Sequence, residues 1–210
     1  MSSARFPGKM LAPFCGRPLI AQVLERFREL DLYSRVVVLT SVDTTDDPLA
    51  DFVANRCAVP VFRGELDNVV ARFQSALAEY PCEWFVRISG DSPLIDGSLV
   101  RAMMRLSDRS CDVVSNVVRR TFPPGQSVEC VRSDVFRALN SNELTSDQRE
   151  HVTKVFYDRP DRWRLRSVIC EDPAWANVRM VVDNLDDLRA LEVDVVQPTS
   201  FGDLAKLESA

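Results

Sequence analysis

Short apolar runs rich in β-branched residues alternate along the chain with stretches whose apolar residues recur every three or four positions. Residues 17–30 place Leu19, Ile20, Val23, Leu24 and Phe27 on one face, which predicts an amphipathic helix. Residues 35–40 form a nearly continuous apolar run, as a strand does when both of its faces are covered. Asp47 followed by Pro48 reads as a helix start, because a first-turn proline lacks only an N–H that has no intrahelical partner. That helix is predicted to run to about residue 55. A short strand follows at 59–62. Asp67 opens a helix to about residue 80, with Val69, Val70, Phe73 and Leu77 inward. A buried strand is predicted at 84–88, a helix from Asp96 and a strand at 111–115. Over 117–169 the rhythm loosens. A turn-rich insertion, Thr121-Phe122-Pro123-Pro124-Gly125, precedes a strand at 128–131 and two helices, and such a stretch is expected to form a lid or a dimer arm. A strand at 178–182 then leads to Asp183-Asn184, which caps a last helix, with Asp187 completing a capping box.

This alternation predicts an α/β fold built on a mostly parallel sheet, with residues 1–210 as one domain. Ligands in such sheets bind beyond the carboxyl ends of the strands. The segments of interest are therefore 40–46, 63–67, 89–96 and 115 onward.

Composition narrows the picture. The chain has 210 residues, 46% hydrophobic and 27% charged, which suits a globular domain that needs no disulfide or metal staple. No apolar run approaches the roughly 20 residues that cross a bilayer. The first residues lack the apolar core of a signal peptide, so a cytoplasmic protein with no membrane partner is expected. The six cysteines form no Cys-x-x-Cys motif. A net charge of -5 argues against a nucleic-acid partner. The cations are uneven, however: Arg5, Lys9 and Arg17 all precede the first carboxylate, Glu25, which suggests a local anion site.

Three groups of residues carry candidate chemistry. Ser2-Ser3-Ala4-Arg5-Phe6-Pro7-Gly8-Lys9 combines small residues that permit close backbone approach with two cations, a plausible polyphosphate cradle or a solvated terminus. It lacks the spacing of a Walker A loop. Asp91, one residue past a glycine at the end of a buried strand, is placed to hold Mg²⁺ over a phosphate, and Asp183 has the matching position after a later strand. Either can equally be a turn or capping residue. Arg149-Glu150-His151 contains the single histidine and follows a polar stretch, so it can face a sugar or an anion, or be structural. Glu129 is a charge inside a predicted strand, either on an exposed face or a ligand for substrate hydroxyls.

These pieces occur together and in order in one family. The chain resembles the cytidylyltransferases of the spore coat polysaccharide biosynthesis protein F type, and more distantly the acylneuraminate and 3-deoxy-manno-octulosonate cytidylyltransferases. The most specific matches are Ser3-Ala4-Arg5-Phe6-Pro7-Gly8-Lys9-Met10-Leu11 and Val86-Arg87-Ile88-Ser89-Gly90-Asp91-Ser92-Pro93-Leu94-Ile95-Asp96. Phe62-Arg63-Gly64, Asp67 to Arg72, Ser115-Asn116, Thr121 to Gly125, Arg149 to Thr153 and Val181 to Leu188 add weight by their order. The resemblance implies a Rossmann-like nucleotide-diphospho-sugar transferase fold, transfer of CMP from CTP to a sugar acid with release of pyrophosphate, and a homodimer. It implies that Ser3, Arg5, Gly8, Lys9 and Arg87 bind the nucleotide, with Arg5, Lys9 and Asp91 catalytic. Asp91 and Asp183 hold Mg²⁺, and Glu129, Arg149, Glu150 and His151 lie on the sugar side. Arg87 can instead orient Asp91.

The chain departs from the family at two places. Where members carry Gly-Leu-Asp-Val-Glu, this chain has Gly125-Gln126-Ser127-Val128-Glu129, so Ser127 replaces a carboxylate. In the family a buried strand precedes the phosphate loop, whereas here the loop stands at residues 2–9. A sheet without a central strand leaves neighbouring backbone groups unpaired at roughly 1–3 kcal/mol each. The expectation is that Met1 is internal and the native chain starts upstream. Two alternatives remain: a glycosyltransferase on the same fold, whose usual Asp-x-Asp motif Gly90-Asp91-Ser92 does not supply, and a truncated non-catalytic homologue.

Overall fold

The structure, a computed structural model, describes residues 6–193 and 201–208. Its elements in chain order are β1 (Pro13–Phe14), β2 (Arg17–Pro18), α1 (Leu19–Glu29), β3 (Val38–Ser41), α2 (Asp47–Phe52), β4 (Val61–Gly64), α3 (Val69–Glu79), β5 (Trp84–Arg87), α4 (Gly97–Arg105), β6 (Val113–Ser115), β7 (Glu129–Arg132), α5 (Ser133–Arg137), α6 (Ser146–Glu150), α7 (Lys154–Asp158), β8 (Leu165–Cys170), α8 (Leu185–Val193), α9 (Phe201–Leu204) and β9 (Ala205–Leu207). The α/β class read from the alternation is the class observed.

β3 and β4 pair in parallel. A five-stranded sheet has the order β5-β7-β6-β8-β9, in which β6 and β8 are parallel and β5 runs the same way, since β5 and β6 are both antiparallel to β7. Only β7 and β9 run against them. Among the described residues β3 and β5 pair with no strand on their second edges.

Helices tie the two sheets together. Along α1, Leu19 and Val23 face the cluster containing Leu99, Met103 and Val114, while Ile20 and Leu24 face the cluster containing Leu49, Val53 and Val59. One apolar stripe thus serves two cores. α3 lies against β3 and β4 and also sends Phe73 to Phe85 of β5, with ring centroids 5.7 Å apart.

Strand alternation divides the five-stranded sheet cleanly, because successive side chains point to opposite faces. Val86, Cys130, Val114 and Val168 face α1 and α4. Phe85, Val131, Val113 and Leu165 face Val70 and Leu77 of α3, Phe136 of α5 and Phe156 of α7. Two residues further along this second face the register aligns Arg87, Glu129, Ser115 and Ser167. The row turns polar where β5 and β6 reach their carboxyl ends, beside the middle of β8.

Local chemistry sets the element boundaries. The predicted helix at 17–30 begins two residues late because Arg17-Pro18 pairs with Pro13-Phe14 across a Cys15-Gly16 turn, both of whose residues have positive φ. Asn68, not Asp67, caps α3, accepting from the N–H of Ala71 at 3.0 Å. Asp96 caps α4 as expected, accepting from the N–H of Ser98 at 2.9 Å. The predicted strand at 178–182 forms no ladder. It is an extended segment that donates Met180 N–H to the Pro124 carbonyl at 2.7 Å and Val182 N–H to Asp91 at 2.9 Å. The region 117–169, read as lid or dimer arm, supplies β7 and most of β8 to the sheet as well as α5 to α7.

Candidate active site

Gly8 has φ 75° and ψ 7°, a left-handed conformation that glycine adopts without a steric penalty, and it starts a 3₁₀ turn at Lys9–Leu11. The turn aims Lys9 inward. Its side chain is 11% exposed, and its ammonium donates to Asp91 Oδ2 at 2.8 Å and to the Val182 carbonyl at 3.0 Å, with Asp183 Oδ1 at 4.0 Å. Asp91 sits in the turn that ends β5. Gly90 lets that turn lie against Met10 and α1: a Cβ there would stand 3.1 Å from the sulfur of Met10 and 3.5 Å from Ile20 Cδ1.

Asp183 arrives by a different route. The Val182 N–H bond to the Asp91 carbonyl sets the extended segment beside the Asp91 turn. α8 then begins with the expected cap. Asp187 N–H donates to Asn184 Oδ1 at 2.9 Å, while Asp187 Oδ2 accepts from the N–H groups of Asp183 and Asn184 at 2.9 and 3.1 Å. Arg179 clamps the start of the helix, donating to Asp183 and, at 3.0 Å, to Asp187. Burial presses the Asp187 pKa upward, but the Arg179 guanidinium and the two backbone donors outweigh it and hold the carboxyl below its usual range. Two carboxylates from distant segments therefore converge on one ammonium. Oxygen donors of this kind suit a small divalent cation.

Beside this centre lies a buried polar network. Glu129, 1% exposed, accepts from Arg87 at 2.6 Å on one carboxylate oxygen and from the hydroxyls of Thr153 and Tyr157 on the other. Arg87 therefore pairs with Glu129, not with Asp91. Gln126, fully buried, accepts from Asp96 N–H at 2.8 Å and donates to the Leu94 carbonyl at 2.6 Å, so the glutamine that departs from the family pattern braces the segment after Asp91. Asn116 fixes the same loop, donating to the Gln126 carbonyl at 2.7 Å and accepting from Val128 N–H at 2.8 Å.

The segment after β3 is also closed by a carboxylate. Asp46 accepts from Thr40 Oγ1, Ser41 N–H and Ser41 Oγ at 2.6, 3.0 and 2.6 Å. Arg149 and His151 have local partners: Arg149 donates to the Ser141 carbonyl at 3.0 Å, and His151, 62% exposed, lies 3.4 Å from Asp147. Glu150 is exposed one position before it. Ser3 and Arg5 lie outside the described residues. Arg17, one of the three early cations, lies apart from Lys9 and Asp91: it lines a cavity of about 180 Å³ between α1 and the end of α2, together with Arg28, Tyr33 and Cys57.

The sequence reading missed Ser115, Thr153, Tyr157 and Arg179 as parts of the site. A signal existed for two of them: Thr153 and Tyr157 are four apart, the spacing that stacks side chains on one helix face.

A cytidylyltransferase family profile matches residues 1–195. The spore coat polysaccharide biosynthesis protein SpsF of Bacillus subtilis is 26% identical over 199 residues, covering 91% of this chain and 81% of that protein. A 3-deoxy-manno-octulosonate cytidylyltransferase of Agrobacterium fabrum is 28% identical over 208 residues, covering 91% and 80%. Among solved structures, a cytidylyltransferase from Leptospira borgpetersenii superimposes with a TM-score of 0.86 at 26% identity, covering 97% of this chain and 88% of that one. Profile, relatives and fold agree over nearly the whole length, and the chain belongs to the cytidylyltransferase family.

Proposed function

We propose that this protein transfers CMP from CTP to a hydroxyl of a sugar acid, releasing pyrophosphate, in the synthesis of a surface polysaccharide or glycoconjugate. The observation that carries the reading is the convergence of Lys9, Asp91 and Asp183. Family membership supports a nucleotidyl transfer, and the likeness to SpsF and to octulosonate cytidylyltransferases supports the acceptor class.

In the reaction the acceptor oxygen forms a bond to the α-phosphorus as the bond from that phosphorus to the bridging oxygen breaks. Pyrophosphate leaves with the electron pair, and the hydroxyl proton passes to water. Phosphate oxygens repel the incoming oxygen, so the protein's task is positioning and charge neutralisation. Lys9 supplies one positive charge at the phosphate loop, and Arg5 adds a second. Gly8 allows close backbone approach. Asp91 and Asp183 would hold Mg²⁺, which when bound neutralises the phosphate oxygens and lowers the barrier to attack. In this reading the Arg87–Glu129 pair lies where the nucleotide and the sugar meet, with Arg87 a binding residue for the nucleotide and Glu129, together with Arg149, Glu150 and His151, serving the sugar. The same reading takes the enzyme as a cytoplasmic homodimer, with residues 117–169 outside the sheet strands β7 and β8 as lid or dimer arm. Among the described residues no helix is long and apolar enough to cross a membrane.

The test is pyrophosphate release by the purified chain with Mg²⁺, each of the four nucleoside triphosphates and a panel of sugar acids. CTP with at least one sugar acid should release pyrophosphate. Release from another nucleotide in preference to CTP, or from none, overturns the reading.

A further inference from the structure

The polar row at the carboxyl ends of β5 and β6 holds a charge pair whose support comes from outside the sheet. Glu129 opens β7 and faces Arg87 on one neighbouring strand and Ser115 on the other. Both of its oxygens are occupied, one by Arg87 and one by the two hydroxyls of Thr153 and Tyr157. Because Tyr157 gives its proton to Glu129, the 2.8 Å contact between Tyr157 and Ser115 is a bond that Ser115 donates. Ser115 in turn accepts the N–H of Val117 at 3.2 Å. A chain of donors thus runs from the end of β6 through Ser115 and Tyr157 and ends on Glu129, whose other oxygen accepts from Arg87. Burial first, then the charge of Glu129, pushes the Tyr157 pKa far up, so the phenol stays a donor throughout the working pH range.

Arg87 is the one member of the chain with capacity left over. It spends a single N–H on Glu129, its other guanidinium N–H groups have no protein partner among the described residues, and its side chain is 29% exposed. A buried pair kept only for stability gains little over apolar packing. A guanidinium gripped on one edge and open on the other is what the planar recognition of an oxyanion requires. It stands four residues before Asp91.

We propose that Tyr157 is a positioning residue: through Glu129 it fixes the Arg87 guanidinium so that its open edge meets an oxyanion of a bound substrate, a phosphate of CTP or the carboxylate of the acceptor. The proposal rests on the functional reading above. Thr153 shares the load, and the α6–α7 segment acts on the centre through these hydroxyls while its arginine and histidine bond locally.

The first test needs no substrate. Nitrogen-15 NMR of the arginine side chains should find rotation of the Arg87 guanidinium hindered in the wild type and about tenfold faster in Tyr157→Phe, as loss of one hydrogen bond to a charge predicts. Adding CTP with Mg²⁺, or the sugar acid alone, should move the Arg87 resonance with one of them, which identifies the source of the oxyanion. The second test is chemical rescue. Arg87→Ala should lose turnover and regain it with added guanidinium, and rescue should fall about tenfold when Tyr157→Phe is combined with it. A merely structural tyrosine would lower the melting temperature and leave rescue unchanged. Unchanged rotation in Tyr157→Phe, or equal rescue with and without the phenol, overturns the proposal. If the wild type turns over no nucleotide, the functional reading fails while the rotation measurement still decides whether Tyr157 positions Arg87.

Discussion

The backbone N–H of Val182 donates to the carbonyl oxygen of Asp91 at 2.9 Å. That bond joins the turn after β5 to the extended segment before α8. The side chains that follow, Asp91 and Asp183, therefore share the Lys9 ammonium. Position comes from backbone, which leaves the carboxylates themselves free to be altered without unfolding the segment.

Asp91→Asn keeps the shape of the turn and removes one charge. Turnover should fall by about 10²–10³, the usual effect of losing one preorganised electrostatic contact. The melting temperature should stay close to wild type. Pyrophosphate release and thermal unfolding of the same preparation check both halves, and unchanged turnover removes Asp91 from the metal role.

Lys9→Met separates ion pairing from catalysis. Without the ammonium the two carboxylates lose the cation they share, while Asp183 keeps Arg179, so a divalent cation no longer competes with Lys9 for their oxygens. Calorimetry without nucleotide should find Mg²⁺ bound more tightly than by the wild type, while turnover falls by about 10²-fold. Weaker Mg²⁺ binding in Lys9→Met would mean that Asp91 and Asp183 do not hold the cation.

The elements read most easily from sequence were those whose signal is local. The α1 stripe of Leu19, Ile20, Val23 and Leu24 and the Asp96 cap depend on neighbours within a turn, and both stand where the pattern puts them. The place of Asp91 just after β5 was legible for the same reason, since a glycine and an acid at a strand end are adjacent in sequence. Residues 178–182 misled because β-branched content reports a strand-like backbone but not a partner; their bonds go to Pro124 and Asp91 instead of a ladder. Tyr157 was invisible because its meaning depends on Glu129, a contact made only when α7 packs over β7. β9 escaped because its pairing with β8 is equally remote.

Gly125→Ala tests how tightly the extended segment is held. Gly125 has φ 102°, and a Cβ there would stand 2.2 Å from the carbonyl oxygen of Met180 and 2.3 Å from its carbon. Neither atom is the end of a flexible side chain, so the backbone must move. The cost should be about 1–3 kcal/mol, which is a fall of several degrees in melting temperature for a domain of this size. Because Met180 N–H bonds to Pro124, the shift should travel to Val182 and Asp183 and reduce turnover beyond the loss of folded protein. A variant with wild-type melting temperature and turnover would mean that the close approach is not maintained in solution.

Asp112 gives a prediction in pH. It lies at the opposite end of the sheet from Lys9, just before β6, and is 7% exposed. Arg164 grips it with Nη2 at 2.6 Å and with its backbone N–H at 2.9 Å, and Arg132 adds a contact at 3.1 Å. The Arg164 side chain first, then its backbone donor, holds the Asp112 pKa below the ordinary carboxylate value against the upward pull of burial. A carboxyl whose pKa is depressed by folding stabilises the folded state above its unfolded pKa, about 3.9, and that contribution disappears as the pH falls through the lower folded value. Asp112→Asn should therefore be less stable than wild type at pH 7, by about 1.5–3 kcal/mol for hydrogen bonds to a charged group. The gap should stay constant down to about pH 5, because the wild-type carboxyl remains ionised in both states above that pH. Below that it should narrow. Denaturant titrations of both proteins from pH 7 to pH 2.5 measure it. A gap that is already closing between pH 7 and pH 5, or that widens in acid, contradicts a depressed Asp112 pKa.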